Sequence, residues 1–185
     1  MKIIAFNGPA HCGKDYAVKM LLPRLPLDET EAIHLKFTAP LKYMMTSFTG
    51  LSAQELEHRK DQILPEYGMT PRDMQTAFGD TLRQSFGPAV LGNMLKNTIN
   101  RLGVDTVFIS DLGLAKELHP LIQEFGGQNI LVAQIARRGC VFIGDIREYV
   151  SDNRVKTEMI LNDGTTRFED DVFTTVINFL GNGEM

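Results

Sequence analysis

The sequence contains no tryptophan and only two cysteines among its 185 residues. Cys12 and Cys140 form no CxxC or Cys/His pattern, so neither a disulfide framework nor a zinc site is predicted. Positive charge is also scarce, because 19 basic residues stand against 23 acidic ones and leave a net charge of -4. No bulk cationic field draws such a chain to nucleic acid. We therefore expect no nucleic-acid polymer among its partners.

Long apolar runs are missing as well. No stretch approaches the roughly 18 apolar residues that a membrane helix needs. The N-terminal run Ile3–Phe6 is too short for a signal peptide and leads directly towards Gly8, which favours a buried strand. We expect a cytoplasmic protein with no membrane partner.

The length and composition favour one globular domain over residues 1–185. Hydrophobic residues make up 43% of the chain and charged residues 23%, which excludes a disordered chain. Short apolar runs alternate with segments of helical period, a pattern typical of βαβ units. The predicted strands are Ile3–Phe6, Ile33–Phe37, Val104–Ile109, Ile130–Ile135 and Glu158–Leu161. The predicted helices are Lys14–Leu22, Ala39–Phe48, Pro71–Phe86, Ala89–Asn100, Ala115–Phe125 and Asp170–Leu180.

The segment from Gly8 to Asp15 fits the phosphate-loop pattern G-x-x-x-x-G-K and departs from it only at Asp15, where Ser or Thr is usual. A predicted strand precedes the segment and a predicted helix follows it, which is the context that this motif requires. Backbone N–H groups and the helix N-terminus would then face phosphate oxygens, with Lys14 on the β and γ phosphates. The alternative is a glycine-rich turn that happens to contain lysine. The motif predicts a three-layer P-loop NTPase fold of the α/β class, with a five-stranded parallel sheet, helices on both faces and a short lid.

Asp15 places negative charge beside a polyphosphate, which requires a cation. It either contacts Mg²⁺, directly or through water, or is an N-terminal carboxylate of the helix. His11 either donates to a phosphate or is a tolerated variable loop residue. The predicted ATP-binding residues are Gly8, His11, Cys12, Gly13, Lys14, Asp15 and Tyr16.

Further motifs follow the loop along nearly the full length. They are Phe37-Thr38-Ala39-Pro40-Leu41-Lys42, Lys60-Asp61, Met69-Thr70-Pro71-Arg72 with Gln75 and Gly79, Val107-Phe108-Ile109-Ser110-Asp111 with Glu117, and Ile160-Leu161-Asn162-Asp163-Gly164-Thr165. In content and order they resemble those of the bacteriophage-type deoxynucleoside monophosphate kinases, a branch of the P-loop kinases in which aspartate commonly follows the loop lysine. The Pro-Leu-Lys and Thr-Pro-Arg elements are more specific than the loop itself.

The resemblance implies transfer of the γ-phosphoryl group of ATP, with Mg²⁺, to the 5′-phosphate of a deoxynucleotide for DNA precursor synthesis. It also implies a bacteriophage setting and a possible homodimer. Because such a transition state spreads charge over phosphoryl oxygens, basic side chains should surround it. The alternatives are a P-loop kinase for another small metabolite, such as a dephospho-coenzyme A or shikimate type, and a non-catalytic nucleotide-binding relative.

The predicted acceptor site lies in a helical region over about 38–100. Arg72 follows Thr70, a plausible N-cap, and Pro71, so an acceptor phosphate there would meet backbone donors together with a guanidinium. Lys42 occupies the Pro-Leu-Lys position of the family. The predicted acceptor-binding residues are Lys42, Arg72, Gln75, Arg83 and Asp111, of which Arg83 is shifted by one residue from the family's spacing after Gly79.

Arg137-Arg138-Gly139 follows the fourth predicted strand, at the edge where open α/β sheets bind ligands. We interpret about 137–154 as a lid that brings positive charge to the transferred phosphate when it closes. The alternative is an exposed basic loop. The predicted catalytic residues are Lys14, Arg72, Arg137, Arg138 and Asp111.

Asp111 follows an apolar strand, so its carboxylate should emerge at the same sheet edge as the loop. It would orient Mg²⁺ through water or contact the acceptor, and the alternative is an N-cap for the helix that begins near Leu114. Relatives often carry Asp-Val-Arg-Phe here, whereas this chain has Gly113 in place of the arginine. The departure puts the usual acceptor contact or the acceptor preference in doubt, and Arg72 or a lid arginine is the candidate substitute.

Overall fold

The computed structural model describes residues 1–25, 31–143 and 146–181. Within these ranges the chain forms five strands: β1 (Lys2–Asn7), β2 (Ala32–Leu35), β3 (Thr106–Leu112), β4 (Ile130–Arg137) and β5 (Lys156–Asn162). The strands form one sheet in the order β2-β3-β1-β4-β5, and each neighbouring pair is parallel. The predicted five-stranded parallel sheet is confirmed. β1 lies at its centre, so the loop that follows β1 emerges between the ends of β3 and β4.

The same ranges contain seven α-helices: α1 (Lys14–Leu21), α2 (Ala39–Thr49), α3 (Ala53–His58), α4 (Pro71–Phe86), α5 (Val90–Leu102), α6 (Ala115–Phe125) and α7 (Thr166–Gly181). Two 3₁₀ turns, Leu22–Arg24 and Gly127–Asn129, complete the described elements. No helix in the described ranges combines the length and the apolar character needed to cross a bilayer.

Alternate residues of each central strand point to opposite faces of the sheet, and helices bury both faces. On one face Ile3 and Val107 pack in a cluster with residues of α5 and α6. On the other face Ile4 and Phe108 pack in a cluster with residues of α1 and α7. Since the central strands are apolar on both sides over most of their length, they appear in the sequence as short apolar runs.

The helices α2, α3 and α4 have a small apolar cluster of their own. Met45, Leu56 and Met74 form it together with Leu64 from the connection between α3 and α4. Phe78 of α4 packs against both this cluster and the core on the α5 and α6 face. These helices therefore form a subregion that is built onto one side of the main fold.

Most predicted boundaries differ from the structure by a few residues, as three examples show. The strand predicted to end at Ile109 continues to Leu112, because ladder pairing of the backbone does not require apolar side chains. β2 ends at Leu35, two residues before the predicted end at Phe37. α7 begins at Thr166, about one turn before the predicted start at Asp170. The first difference matters most, because it places Asp111 within the last residues of β3.

Candidate functional site

The loop after β1 has a backbone that requires its two glycines. Gly8 has a φ of +150°, and a Cβ on it would lie 2.5 Å from the carbonyl oxygen of Ile135. Gly13 has a φ of +110°, and a Cβ there would lie 2.5 Å from Nδ2 of Asn162. Both contacts are too short for any side chain, so the loop packs tightly against the ends of β4 and β5. This close packing distinguishes it from a glycine-rich turn on an open surface.

Two longer-range contacts also hold the loop. Asn162, which is buried at the end of β5, donates from Nδ2 to the carbonyl oxygen of Cys12 at 2.8 Å. Arg137 at the end of β4 lies over the loop and donates from Nη1 to the carbonyl oxygen of His11 at 3.4 Å. His11 itself has a φ of +62°, a left-handed conformation that costs about 1 kcal/mol or more for a residue with a side chain. The loop conformation is therefore imposed by its surroundings.

The ammonium group of Lys14 lies inside the curve of the loop. Its Nζ donates to the carbonyl oxygens of Gly8 at 2.7 Å and Pro9 at 2.6 Å, and lies 3.7 Å from Sγ of Cys12. Burial lowers the pKa of Lys14 from its ordinary value, and the positive charge of Arg147 lowers it further. Burial also raises the pKa of the Cys12 thiol. Cys12 therefore contributes a neutral thiol and a carbonyl to the loop, and Lys14 contributes a half-buried positive charge.

Asp15, in the first turn of α1, belongs to a chain of polar contacts. Its Oδ1 accepts from Oγ of Ser110 at 2.5 Å and pairs with Nζ of Lys36 at 2.6 Å, while Oγ of Ser110 lies 2.7 Å from Nε2 of His34. Since the serine hydroxyl donates to Asp15, the imidazole donates to the serine. Burial alone would raise the pKa of Asp15, but the hydrogen bonds from Lys36 and Ser110 outweigh it and the pKa lies below its ordinary value.

Asp111 uses both carboxylate oxygens to hold the segment before α2. Oδ1 accepts from the backbone N–H of Phe37 at 2.8 Å, and Oδ2 accepts from the backbone N–H and the hydroxyl of Thr38 at 3.1 and 2.7 Å. The suggested N-cap role of Asp111 near Leu114 is wrong, because Glu117 accepts the Leu114 N–H at 3.3 Å instead. Asp111 thus ties the end of β3 to the start of α2.

Beside the loop, the described residues enclose a cavity of about 580 Å³, which we call the charged cavity. Its walls come from the start of α2, from α3 and α4, and from the segments after β3 and around Arg147. The lining includes the five predicted acceptor-binding residues Lys42, Arg72, Gln75, Arg83 and Asp111. The structure therefore brings together residues that lie up to 69 positions apart in the sequence.

The lining carries more positive than negative charge, although the chain as a whole is acidic. Among the described lining residues the cations are Lys36, Lys42, Lys60, Arg72, Arg83 and Arg147. The anions are Glu57, Asp80, Asp111 and Glu117. The lining thus has six cationic and four acidic side chains, and two of the cations, Lys36 and Arg72, also pair with Asp15 and Asp61 just outside it. An anionic ligand would compete with these carboxylates for the cations. Among the apolar lining residues, Phe37 and Leu41 are almost fully buried, whereas Leu114 is half-buried and offers some surface to an uncharged part of a ligand.

Arg72 lines the cavity, but the backbone donors expected beside it are already used. Its own N–H donates to the carbonyl oxygen of Lys60 at 3.1 Å, and the N–H of Asp73 donates to Oγ1 of Thr70 at 3.1 Å. The N-cap role of Thr70 is confirmed. Because these two N–H groups are already bonded, only the guanidinium of Arg72 is left at the first turn of α4 to meet the predicted acceptor phosphate. That guanidinium donates from Nε to Asp61 at 2.7 Å.

Lys42 and Arg83 are paired with carboxylates of the same cavity. Nζ of Lys42 lies 3.0 Å from Oε2 of Glu57. Arg83 bridges Asp80 at 3.2 Å and the buried Glu117 at 3.1 Å. Burial raises the pKa of Glu117, and the ion pair with Arg83 opposes that rise. Within the described ranges the Nε donor of Arg83 is buried without a hydrogen-bond partner.

The second half of the predicted lid over about 137–154 is hydrogen-bonded to strand ends in this structure, and the lid itself stays a prediction. Residues 144 and 145 of that range lie outside the described residues. From Glu148 onwards the segment is fixed to strand ends: Nδ2 of Asn7 donates to the carbonyl oxygen of Glu148 at 3.0 Å, and Oδ1 of Asn7 accepts from the N–H of Val150 at 2.9 Å. Nε2 of Gln134 donates to the carbonyl oxygen of Val150 at 2.9 Å. Arg138, in the described first half of the predicted lid, is exposed.

We expect Asn7→Ala to lower the free energy of unfolding by about 2–4 kcal/mol, measured by chemical denaturation. Asn7 is fully buried, and its Nδ2 also donates to the carbonyl oxygen of Leu112 at 2.9 Å. Alanine leaves these partners of Asn7 unsatisfied in the interior. Asn100→Ala is the matched control, since its amide donates to Glu124 on the surface and should cost under about 0.5 kcal/mol. A loss below about 1 kcal/mol for Asn7→Ala would contradict this role.

Asp15 has one oxygen that suits Mg²⁺. Proteins usually hold this ion by one or two carboxylates together with substrate phosphates. In the described part of the chain no group of three or more His, Cys, Asp or Glu side chains is arranged to hold a metal. Both contacts of Asp15 use Oδ1, and no hydrogen bond or ion pair among the described residues uses Oδ2. Asp15 therefore fits the cation better than Asp111, whose two oxygens hold backbone groups.

Some site residues lie elsewhere than expected, and others were not predicted. The hydroxyl of Tyr16 donates to Glu169 of α7 at 2.5 Å, so the tyrosine side chain contacts α7. This hydrogen bond raises the pKa of Tyr16. Lys36 and Asn162 were missed as site residues. No local motif marks Lys36, whereas Asn162 belongs to the last of the motifs that carry the family resemblance.

The sequence matches no protein-family model, and no curated protein matches it significantly. The function is therefore argued from the site itself. That site consists of a tightly held loop with one inward ammonium group, a carboxylate beside it, and a cation-rich cavity.

Proposed function

We propose that the protein is a Mg·ATP-dependent kinase that transfers the γ-phosphoryl group of ATP to the 5′-phosphate of a deoxynucleoside monophosphate. The observation that carries the proposal is the adjacency of two anion-binding features at one sheet edge. Lys36 joins them, because it lines the charged cavity and pairs with Asp15 of the loop helix. A kinase needs such an arrangement, because donor and acceptor phosphates must be held in line.

In this proposal the loop binds the donor. The backbone from Gly8 to Gly13 curves around the ammonium of Lys14, whose two carbonyl partners would give way to phosphate oxygens. Asp15 would hold Mg²⁺ through Oδ2, while Lys36 and Ser110 fix its Oδ1. The ion, when bound, neutralises charge on the nucleotide phosphates. Arg137 donates to the loop carbonyl of His11 and adds a further cation.

The charged cavity binds the acceptor. Its volume of about 580 Å³ lies within the roughly 300–1,000 Å³ usual for small-molecule sites. The half-buried Leu114 offers an apolar surface for the nucleoside, and Arg72 offers a guanidinium for its phosphate. Little covalent help from the protein is needed, because this chemistry depends on positioning and electrostatic stabilisation. The resemblance of the Pro-Leu-Lys and Thr-Pro-Arg elements to deoxynucleoside monophosphate kinases favours a nucleotide over other anionic acceptors.

The test is a panel of deoxy- and ribonucleoside monophosphates incubated with ATP and Mg²⁺, with ADP release as the measurement. We expect turnover on at least one deoxynucleotide, at a rate well above ATP hydrolysis without acceptor. Hydroxylated metabolites belong in the same panel, because turnover confined to one of them would identify a different P-loop kinase. ATP binding in calorimetry without turnover on any acceptor would instead favour a non-catalytic nucleotide-binding protein.

A further inference from the structure

Gly113 makes room for the side chain of Arg147. A Cβ placed on Gly113 would lie 2.6 Å from Cδ and 2.7 Å from Cγ of Arg147, whereas ordinary contacts begin at about 3.4 Å. These two atoms belong to the middle of the arginine stem, so the aliphatic part of Arg147 lies directly on the glycine. Any side chain at Gly113 would displace it.

The backbone around Arg147 is held in place on both sides of this contact. The N–H of Glu148 donates to the carbonyl oxygen of Gly113 at 3.5 Å. The buried amide of Asn7 binds the carbonyl oxygen of Glu148 and the N–H of Val150. Arg147 therefore projects from a segment fixed to the ends of β1 and β3, in contrast to the exposed Arg138 earlier in the same connection.

The side chain lies between the two halves of the site. Arg147 lines the charged cavity together with Asp111, Gly113 and Leu114. It is also near enough to Lys14 for its charge to act on that ammonium. The end of the cavity that Arg147 occupies is therefore the end that faces the loop lysine.

We infer that Arg147 binds the phosphate of the acceptor nucleotide at the end of the charged cavity that faces Lys14, and that Gly113 admits the arginine to this position. The inference rests on the proposed function. A guanidinium can donate two parallel N–H bonds to phosphate oxygens, which fixes orientation as well as charge. In that position Arg147 sets the acceptor phosphate in line with the group to be transferred.

The experiment measures equilibrium binding, by calorimetry, of the nucleoside monophosphate that the unmodified protein uses best, and of MgATP separately. Arg147→Ala should weaken monophosphate binding roughly 10- to 100-fold, since a charged hydrogen-bonding pair is lost. Arg147→Lys should bind the monophosphate with an affinity between those of Arg147→Ala and the unmodified protein, because lysine keeps the charge and loses the planar guanidinium. MgATP binding should change less than about twofold. Arg101→Ala, on the exposed side of α5, is the matched control and should bind both ligands normally.

A double-mutant cycle tests the contact with Gly113. Gly113→Ala should weaken monophosphate binding nearly as much as Arg147→Ala, because the methyl group displaces the arginine stem. In the Arg147→Ala background the same change should add little, since only the Cβ at position 147 remains near it, at 3.6 Å. Gly181→Ala is the glycine control, because a Cβ there meets nothing within 4 Å.

The outcomes separate this inference from the proposed function. If Arg147→Ala binds the monophosphate as tightly as the unmodified protein while phosphoryl transfer continues, the role of Arg147 is wrong and the proposed function stands. If Gly113→Ala weakens binding as much in the Arg147→Ala background as it does beside the native arginine, the contact does not position Arg147. If the unmodified protein binds MgATP but no nucleoside monophosphate, the proposed function and this inference are both overturned.

Discussion

Replacing Lys14 with alanine should reduce phosphoryl transfer by about 10²- to 10³-fold, the usual effect of removing one donor that stabilises transition-state charge. In the structure its Nζ lies within the loop, 2.7 and 2.6 Å from two carbonyl oxygens, in the place where the proposal puts the β and γ phosphates. Among the described loop residues, Lys14 is the only one whose cationic side chain lies inside this curve, and alanine removes it. The measurement is the initial rate of ADP formation with saturating nucleotides.

Lys19→Ala is the matched control for Lys14→Ala. Lys19 is exposed in the last turn of the same helix, so its loss changes net charge equally without touching the loop. Its activity should remain within about twofold of the unmodified protein. We expect Lys14→Ala to lose no more than about 2 kcal/mol of unfolding free energy, since two net hydrogen bonds disappear together with the cost of burying an ammonium. Retention of more than a tenth of the activity by folded Lys14→Ala would show that the ammonium does not contact the transferred phosphates.

The sheet could be predicted because its strands are buried on both faces. Ile130–Ala133 and Ile3–Phe6 are continuous apolar runs, and such runs separated by helical segments predict parallel strands. Their ends were less predictable, because Asn7 and Asp111 are polar and still belong to the ladder. Polar side chains at a strand's carboxyl end interrupt the apolar pattern but not the backbone pairing.

The helix α3 was missed although a local signal for it exists. It has only six residues and little apolar period, so its hydrophobic pattern is weak. Ser52 and Glu55 nevertheless form a capping box, with the serine accepting the Glu55 N–H at 3.2 Å and the glutamate accepting the Ser52 N–H at 2.8 Å. The S-x-x-E spacing alone would have indicated a helix start at this point.

The loop motif could be located in the sequence because all its parts are neighbours in the chain. Lys36, Asn162 and Arg147 could not be located in this way, because each reaches the site from a different strand end or connection. The anchoring of the segment after Arg147 could not be predicted for the same reason. Asn7 anchors that segment from about 140 positions away, and nothing in the sequence around Asn7 indicates that its carboxamide binds Glu148 and Val150.

Asp111→Asn should reduce kcat/KM for the acceptor by about 10²-fold, chiefly through a higher acceptor KM. The carboxylate accepts two backbone N–H groups and one hydroxyl from Phe37 and Thr38, at the point where the chain enters α2. An amide can accept at only one of its two positions, so at least one of these bonds is lost. Displacement of this segment moves Phe37 and Lys42, which form part of the cavity wall.

Magnesium dependence separates this positioning role from a role in holding the cation. Because both oxygens of Asp111 are engaged with the backbone, we expect the Mg²⁺ concentration for half-maximal rate to change less than about twofold in Asp111→Asn. Asp15→Asn should raise that concentration at least about tenfold, since Asp15 offers the oxygen that suits the ion. Thr38→Val, which removes one bond to Asp111 and leaves the carboxylate intact, should raise the acceptor KM a few-fold. A raised Mg²⁺ requirement in Asp111→Asn with an unchanged acceptor KM would reverse the assignment and place the cation at the end of β3.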